Sequence, residues 1–345
     1  MKWLRLLWIF PFLLILSFGR PDKHQLYNRW DNIHFVKEID FDPHPDTVFV
    51  ICTNRLYQPG LQQPLADRAD PENKLQYLVA TYSNNEWRLL RKQNLEEAVA
   101  YLPRKDFLLY IEGMGKTFPM DLQRSAGMTA QYNLNVIQFE YPSIHPRKNP
   151  VANFYFAYNQ AKHATEEYSE FIREFEVLKN NHPEKFAEVN ISLFHHSMGN
   201  RMLKHSLEEN LLIVKDKSLF QNVILNAACV PQSKHTEWIE KIDFSERVFI
   251  NYNKKDFQLN GAMFITFDKM LGARFKEPLA GNATYIDFQT LVAGRHSNFL
   301  NIDGRDNINP ECRRYYDLVL HGNNPNLADS SLFITSTEIV GFGLK

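Results

Sequence analysis

The amino-acid sequence predicts an α/β fold in which a mostly parallel central sheet carries helices on both faces. Short apolar runs rich in β-branched and aromatic residues recur along the chain, and from Asp106 to Phe288 they alternate with helix-like segments. Parallel neighbours need a connection long enough for a helix, so strands spaced in this way imply βαβ units. A further observation is the stretch Asn190 to Asn210, NISLFHHSMGNRMLKHSLEEN, which reads as strand, sharp turn and helix with Ser197 at the apex.

At the N-terminus, Lys2 and Arg5 precede an uncharged run from Leu6 to Phe18, with small residues at Ser17 and Gly19. A basic start, a short apolar region and small residues predict a secretory signal peptide over residues 1–19, or an N-terminal anchor if the segment is kept. The run is short for a spanning helix, and Pro11 interrupts it. Residues 22–345 show no internal repeat, low-complexity segment or linker, so one domain is expected, periplasmic or secreted.

Within that body, VFVICTNR (Val48 to Arg55) reads as a buried strand, followed by a Pro-, Gln- and Asp-rich loop from Gln58 to Lys74. Tyr77 to Tyr82 and Trp87 to Leu90 are strands about the Ser83-Asn84-Asn85 turn, and Asn94 to Leu102 is a short helix. The regular alternation then begins. Strands are expected at Asp106 to Glu112, Asn135 to Glu140, Ile191 to Phe194, Phe220 to Ala228, Arg247 to Tyr252 and, last, Thr284 to Phe288. Helices are expected at Pro119 to Tyr132, Ala152 to Asn180, Gly199 to Glu209 and Thr236 to Ile242.

Composition narrows the function classes. The 345 residues are 44% hydrophobic and 23% charged, enough for a sizeable core. A net charge of −1 provides no global field for nucleic acid, so no nucleic-acid partner is expected. The three cysteines, Cys52, Cys229 and Cys312, are widely spaced and show neither a disulfide framework nor metal-ligand spacing.

A serine at a strand–helix turn is the layout of a nucleophile elbow. Its hydroxyl is a weak nucleophile and needs a base, an acid to orient that base, and donors for an oxyanion. With acid and histidine following the serine in sequence, Asp256 is the leading acid, because it lies just past the strand Arg247 to Tyr252, where sites of open α/β sheets gather. Asp243 precedes that strand, and Asp287 lies within the last one. His296, in Ala293-Gly294-Arg295-His296-Ser297-Asn298-Phe299, is the leading base, with His321 its rival. Gly113-Met114-Gly115 follows a strand, and glycines there let backbone N–H groups approach a developing charge. The expected oxyanion donors are the N–H groups of Met114 and Met198. Gly115-Lys116-Thr117 suggests a phosphate loop, but that pattern needs glycine where Tyr110 stands.

The combination resembles the α/β-hydrolase superfamily, and most closely a bacterial group of α/β hydrolases known as a domain of unknown function. The residues carrying the resemblance are Thr53-Asn54-Arg55, Glu112-Gly113-Met114-Gly115, Tyr141-Pro142-Ser143 and His195-His196-Ser197-Met198-Gly199. It spans roughly Val48 to Asn301. Glu112 stands where the group has histidine, and His195 where it has a small residue. The resemblance implies an α/β-hydrolase fold and a serine hydrolase acting on a small-molecule or lipid-like acyl substrate, with Ser197, Asp256 and His296 as catalytic residues. No cofactor or metal is expected, and membrane attachment only through the N-terminal segment. The alternative is a non-catalytic binding protein on the same scaffold.

Overall fold

The computed structural model describes residues 29–41, 47–302, 306–335 and 341–344; the expected signal peptide or anchor at residues 1–19 lies outside them. The strands are β1 (Ile33–Val36), β2 (Thr47–Thr53), β3 (Arg55–Tyr57), β4 (Leu65–Ala69), β5 (Gln76–Ser83), β6 (Glu86–Lys92), β7 (Phe107–Ile111), β8 (Asn135–Glu140), β9 (Ile191–His196), β10 (Phe220–Asn226), β11 (Ser245–Tyr252), β12 (Ala283–Asp287), β13 (Phe333–Thr335) and β14 (Phe342–Leu344). The helices are α1 (Leu95–Val99), α2 (Phe118–Tyr132), α3 (Pro150–His163), α4 (Thr165–Asn181), α5 (Pro183–Phe186), α6 (Asn200–Glu208), α7 (His235–Ile239), α8 (Phe257–Thr266) and α9 (Pro310–Leu320).

Twelve strands form one sheet in the order β1-β6-β5-β2-β8-β7-β9-β10-β11-β12-β14-β13, and β3 pairs with β4 separately. Within the large sheet only the pairs β2–β5, β5–β6 and β13–β14 are antiparallel. Register aligns the parallel ends: Ile111 lies opposite His195, Asn226 opposite His196, and Tyr252 opposite Asp287. The chain therefore leaves β7, β9, β10, β11 and β12 along one sheet edge, where their following loops can meet.

Side chains alternate across the pleat and feed two cores. In β9, Ile191 and Leu193 enter the core under α1, α4, α6 and α7, while Phe194 enters the opposite one with Met128 of α2 and Tyr315 and Tyr316 of α9. The fold expected from the sequence is the one observed. No helix among the described residues is long and apolar enough to cross a membrane.

Several segments differ from the sequence reading, among them Leu65–Ala69, which forms β4 inside the loop expected from Gln58 to Lys74. The helix expected over Ala152 to Asn180 is two helices meeting at Ala164, where Thr165 Oγ1 turns back and donates to Lys162 O at 2.7 Å. Residues 257–266, for which no element was expected, form α8, whose N-terminal N–H groups at Gln258 and Leu259 are capped by Asp256 Oδ1 at 2.9 and 3.0 Å. Thr284 to Phe288 is not the last strand, because β14 continues the sheet at Ile286 and Asp287, and α9 packs beneath β9 and β10.

The Thr53-Asn54-Arg55 tripeptide binds the end of β2 to the end of β8. Arg55 Nη2 and Nε meet Glu140 Oε1 at 2.7 and 2.8 Å, and Thr53 Oγ1 donates to Glu140 Oε2 at 2.6 Å. Both charged side chains are buried; Glu140 is compensated by Arg55, which also reaches Asp67 Oδ1 at 3.2 Å. Glu140→Ala, which leaves buried Arg55 with only its contacts to Asp67 and Ala66 O, is expected to cost about 3 kcal/mol in urea unfolding; a midpoint equal to wild type would contradict this role.

Candidate active site

The turn after β9 is set by backbone conformation. Ser197 has φ +52°, a left-handed value that costs a non-glycine residue about 1–3 kcal/mol. Its surroundings compensate. The Ser197 carbonyl accepts from Cys229 N–H at 3.0 Å and from Asn200 Nδ2 at 3.0 Å, and Asn200 also donates to His195 O at 3.2 Å. Two glycines allow the close approach. A Cβ at Gly199 would stand 2.8 Å from Glu112 O, and one at Gly113 would stand 2.6 Å from Ser197 Cβ. The loop after β7 thus lies directly against the serine.

That loop has few free amides. Gly113 N–H donates to Glu112 Oε1 at 2.8 Å, Gly115 N–H to Ser143 O at 3.0 Å, and Lys116 N–H to Ser143 Oγ at 3.0 Å. Among the described residues the Met114 N–H has no such partner, and Met198 supplies the first amide after the serine. The Tyr141-Pro142-Ser143 turn therefore has a definite role, which is to hold the far end of the loop.

The structure brings Asp256 and His296 together. His296 Nδ1 lies 2.6 Å from Asp256 Oδ2, and both side chains are buried. The carboxylate is fixed by the α8 amides on its other oxygen. The histidine loop is fixed by Asn253 Nδ2 donating to Ala293 O at 2.8 Å and by Phe257 N–H donating to Gly294 O at 3.3 Å. A carboxylate facing Nδ1 calls for the proton there, which leaves Nε2 as the acceptor. No hydrogen bond joins Ser197 Oγ to His296 among the described residues, although the His196 ring, one residue before the serine, is 4.6 Å from the His296 ring. A cleft lined in part by Arg295, Ser297, Leu300 and Ile302 opens beside His296.

The rival residues lie elsewhere or serve other partners. Asp287 Oδ1 accepts from Gln289 N–H, and Asp243 is exposed and paired with Lys217. His321 contacts Asp106 Oδ2 at 2.6 Å and Tyr132 O at 2.8 Å; Asp106 precedes β7, so this histidine sits at the opposite edge of the sheet.

The two positions that depart from the family pattern have separate environments. Pleat alternation sends His195 away from the site, under α4, where its Nε2 lies 2.9 Å from Tyr168 Oη. Burial there lowers its pKa to about 3, so it is neutral. Glu112 faces the site side. Its Oε2 meets Arg124 Nε at 2.6 Å and accepts from Tyr110 Oη. Burial opposes ionisation of this carboxyl, but the Arg124 guanidinium, followed by Lys116, holds its pKa well below the usual range. Arg124 extends on to Ser297 Oγ at 3.4 Å and lies over the Phe299 ring, so one ion pair spans the loop at Gly113 and the loop that carries His296.

His196 completes this layer. Asn226 Oδ1 accepts from Tyr316 Oη at 2.6 Å, which orients Asn226 Nδ2 to donate to His196 Nδ1 at 3.1 Å. Burial lowers the His196 pKa well below its ordinary value despite Glu112 Oε1 at 3.7 Å, so the ring stays neutral. Sequence reasoning marked Glu112 only as a departure and missed Arg124, Asn226 and Asn200. Arg124 lies on a helix twelve residues from Glu112, and no spacing rule singles it out.

The family described as "Alpha/beta hydrolase of unknown function (DUF900)" matches residues 89–274, slightly more than half of the chain. The chain belongs to this family. The match takes in the loop at Gly113, the Ser197 turn and Asp256, while His296 lies beyond it. The family resemblance and the α/β-hydrolase fold read from the sequence are both borne out. No curated protein and no solved structure matches the chain. Among the described residues no group of His, Cys, Asp or Glu is arranged to hold a metal ion, and the three cysteines are free and buried.

Two measurements check this description. Gly113→Ala pushes a methyl group into Ser197, and overpacking of this kind is expected to cost about 1–3 kcal/mol in chemical denaturation; an unchanged midpoint would show that the loop does not rest on the serine. His195 is neutral when folded but takes up a proton near pH 6.5 when unfolded, so the unfolded state binds more protons as pH falls. Its contribution is complete above about 6.5 and is lost as pH drops toward about 3. His195→Gln should flatten the pH dependence of stability in that window by up to about 1.4 kcal/mol per pH unit. An identical slope in the variant would be inconsistent with a buried neutral His195.

Proposed function

We propose that this protein is a serine hydrolase cleaving a carboxylic ester or a related acyl bond, with Ser197, His296 and Asp256 as its catalytic residues. The observation that carries the reading is the 2.6 Å contact between His296 Nδ1 and buried Asp256 Oδ2, on the sheet edge where left-handed Ser197 closes β9. Ser197 Oγ attacks the acyl carbon as His296 Nε2 takes its proton. The carbonyl oxygen becomes an oxyanion and accepts from the Met114 and Met198 N–H groups. The imidazolium, stabilised by Asp256, returns the proton to the leaving oxygen, and the C–O bond breaks to leave an acyl-serine. Water, deprotonated by His296, then releases the acid and restores Ser197.

The neighbouring charges are consistent with this cycle. Because burial keeps His196 neutral, that ring adds no positive charge against the imidazolium at His296, although the two rings are 4.6 Å apart. The basic and then apolar N-terminal segment supports a periplasmic or secreted protein. One observation favours the second reading, a binding protein on a hydrolase scaffold: among the described residues Ser197 Oγ is not hydrogen-bonded to His296. Unliganded catalytic sites often show the same gap, closing it only with substrate bound.

A fluorophosphonate probe should label Ser197, and labelling should vanish in Ser197→Ala. Hydrolysis of short acyl esters should fall by on the order of 10⁴–10⁶-fold in Ser197→Ala and in His296→Ala. A folded wild-type protein that neither takes the probe nor hydrolyses any of a panel of acyl chain lengths would favour the binding protein.

A further inference from the structure

Helix α8 starts on the residue after Asp256 and presents an apolar face to solvent. Phe257, Phe264 and Phe267 are 75%, 68% and 91% exposed. Tyr155 of α3 lies beside them, its hydroxyl donating to Ile265 O at 3.4 Å, and it is also exposed. Soluble surfaces scatter single apolar side chains, whereas three exposed phenylalanines on one short helix and its C-cap, with an exposed tyrosine against it, mark a contact surface. The face is joined to the site by contact. The Phe257 ring covers Gly294, where a Cβ would stand 2.2 Å from it, two residues before His296.

The charges at its margin select the partner. Lys254 and Lys255 immediately precede Asp256 and α8, Lys269 follows Phe267, and Arg274 and Lys276 lie on the next loop, all exposed. Lys148 Nζ lies 5.9 Å from the ring of Phe156, the neighbour of Tyr155. The exposed acids in these segments are Asp268 and Glu277. This positive margin belongs to a chain whose net charge is −1. Aromatic anchors bordered by lysine and arginine match the chemistry of an anionic lipid surface, with rings entering the interface and ammonium groups at the headgroups. A second copy docked through the same face would bring the same cations together, which opposes self-association.

We propose that the α8 face docks on an anionic lipid surface and delivers an acyl lipid from it to the Ser197 site. The docking stands on the surface residues alone; the delivery rests on the reading of Ser197 as a nucleophile.

The test uses the full chain in flotation with phosphatidylcholine vesicles, with and without phosphatidylglycerol. Wild type should float with the anionic vesicles, less so as salt rises. The double variant Phe264→Asp, Phe267→Asp should lose about tenfold or more of that binding while hydrolysing a soluble short ester at the wild-type rate. Lys269→Gln with Lys276→Gln should weaken the preference for phosphatidylglycerol. Three results overturn the docking: wild type that ignores anionic vesicles, a double-Asp variant that floats as well as wild type, or a dimer in light scattering that the same double variant abolishes. Vesicle binding lost in the variant, with no ester hydrolysed by wild type in any form, supports the docking and rejects only the nucleophile reading.

Discussion

Ser197 is held at φ +52° by contacts that leave no room for an added methyl group on either neighbouring glycine. Gly113 lies against the serine side chain and Gly199 against the backbone at the end of β7. The strain is local, and its compensation comes from β10 and the residues after it, through Cys229 N–H, and from the first turn of α6, through Asn200. The serine's position thus depends on the relative height of three adjacent strands. That height is fixed by ladder register, with Ile111, His195 and Leu225 in one row.

Around this turn the protein separates charge by burial. Glu112 and Arg124 form an ion pair after β7, Arg55 and Glu140 form another at the ends of β2 and β8, and His195 and His196 on β9 are kept neutral. Buried pairs contribute less to net stability than their short distances suggest, because both partners lose hydration. Their effect is geometric. The Glu112–Arg124 pair ties the loop at Gly113 to Ser297 and Phe299, so that loop and the segment carrying His296 share one support.

The central strands and most helices were legible because they are buried on predictable faces. Periodicity reports burial, and β7, β8, β9, β10 and β11 are buried almost throughout. Helix α8 escaped for the converse reason. Phe257, Leu259, Met263, Phe264 and Ile265 surround it rather than forming one stripe, since part of its apolar surface faces solvent, and Gly261 interrupts the pattern. Helix α9 carried signals that were passed over, with Asn309 as cap, Pro310 in the first turn, and Tyr315, Tyr316, Val319 and Leu320 on one face.

By itself the sequence determined the order of strands and helices, the serine at the turn, and the acid and histidine following later strands. These are local or directional properties, written in burial pattern, glycine placement and chain order. Tertiary structure decided the rest. The pairing of β11 with β12 and the hydrogen bonds between the loops that follow them bring Asp256 and His296, forty residues apart, to 2.6 Å, and the pleat sends His195 away from the site while turning His196 toward it. Pairings such as Glu112 with Arg124 depend on how a helix lies on the sheet, a relation between distant residues that no single stretch of chain encodes.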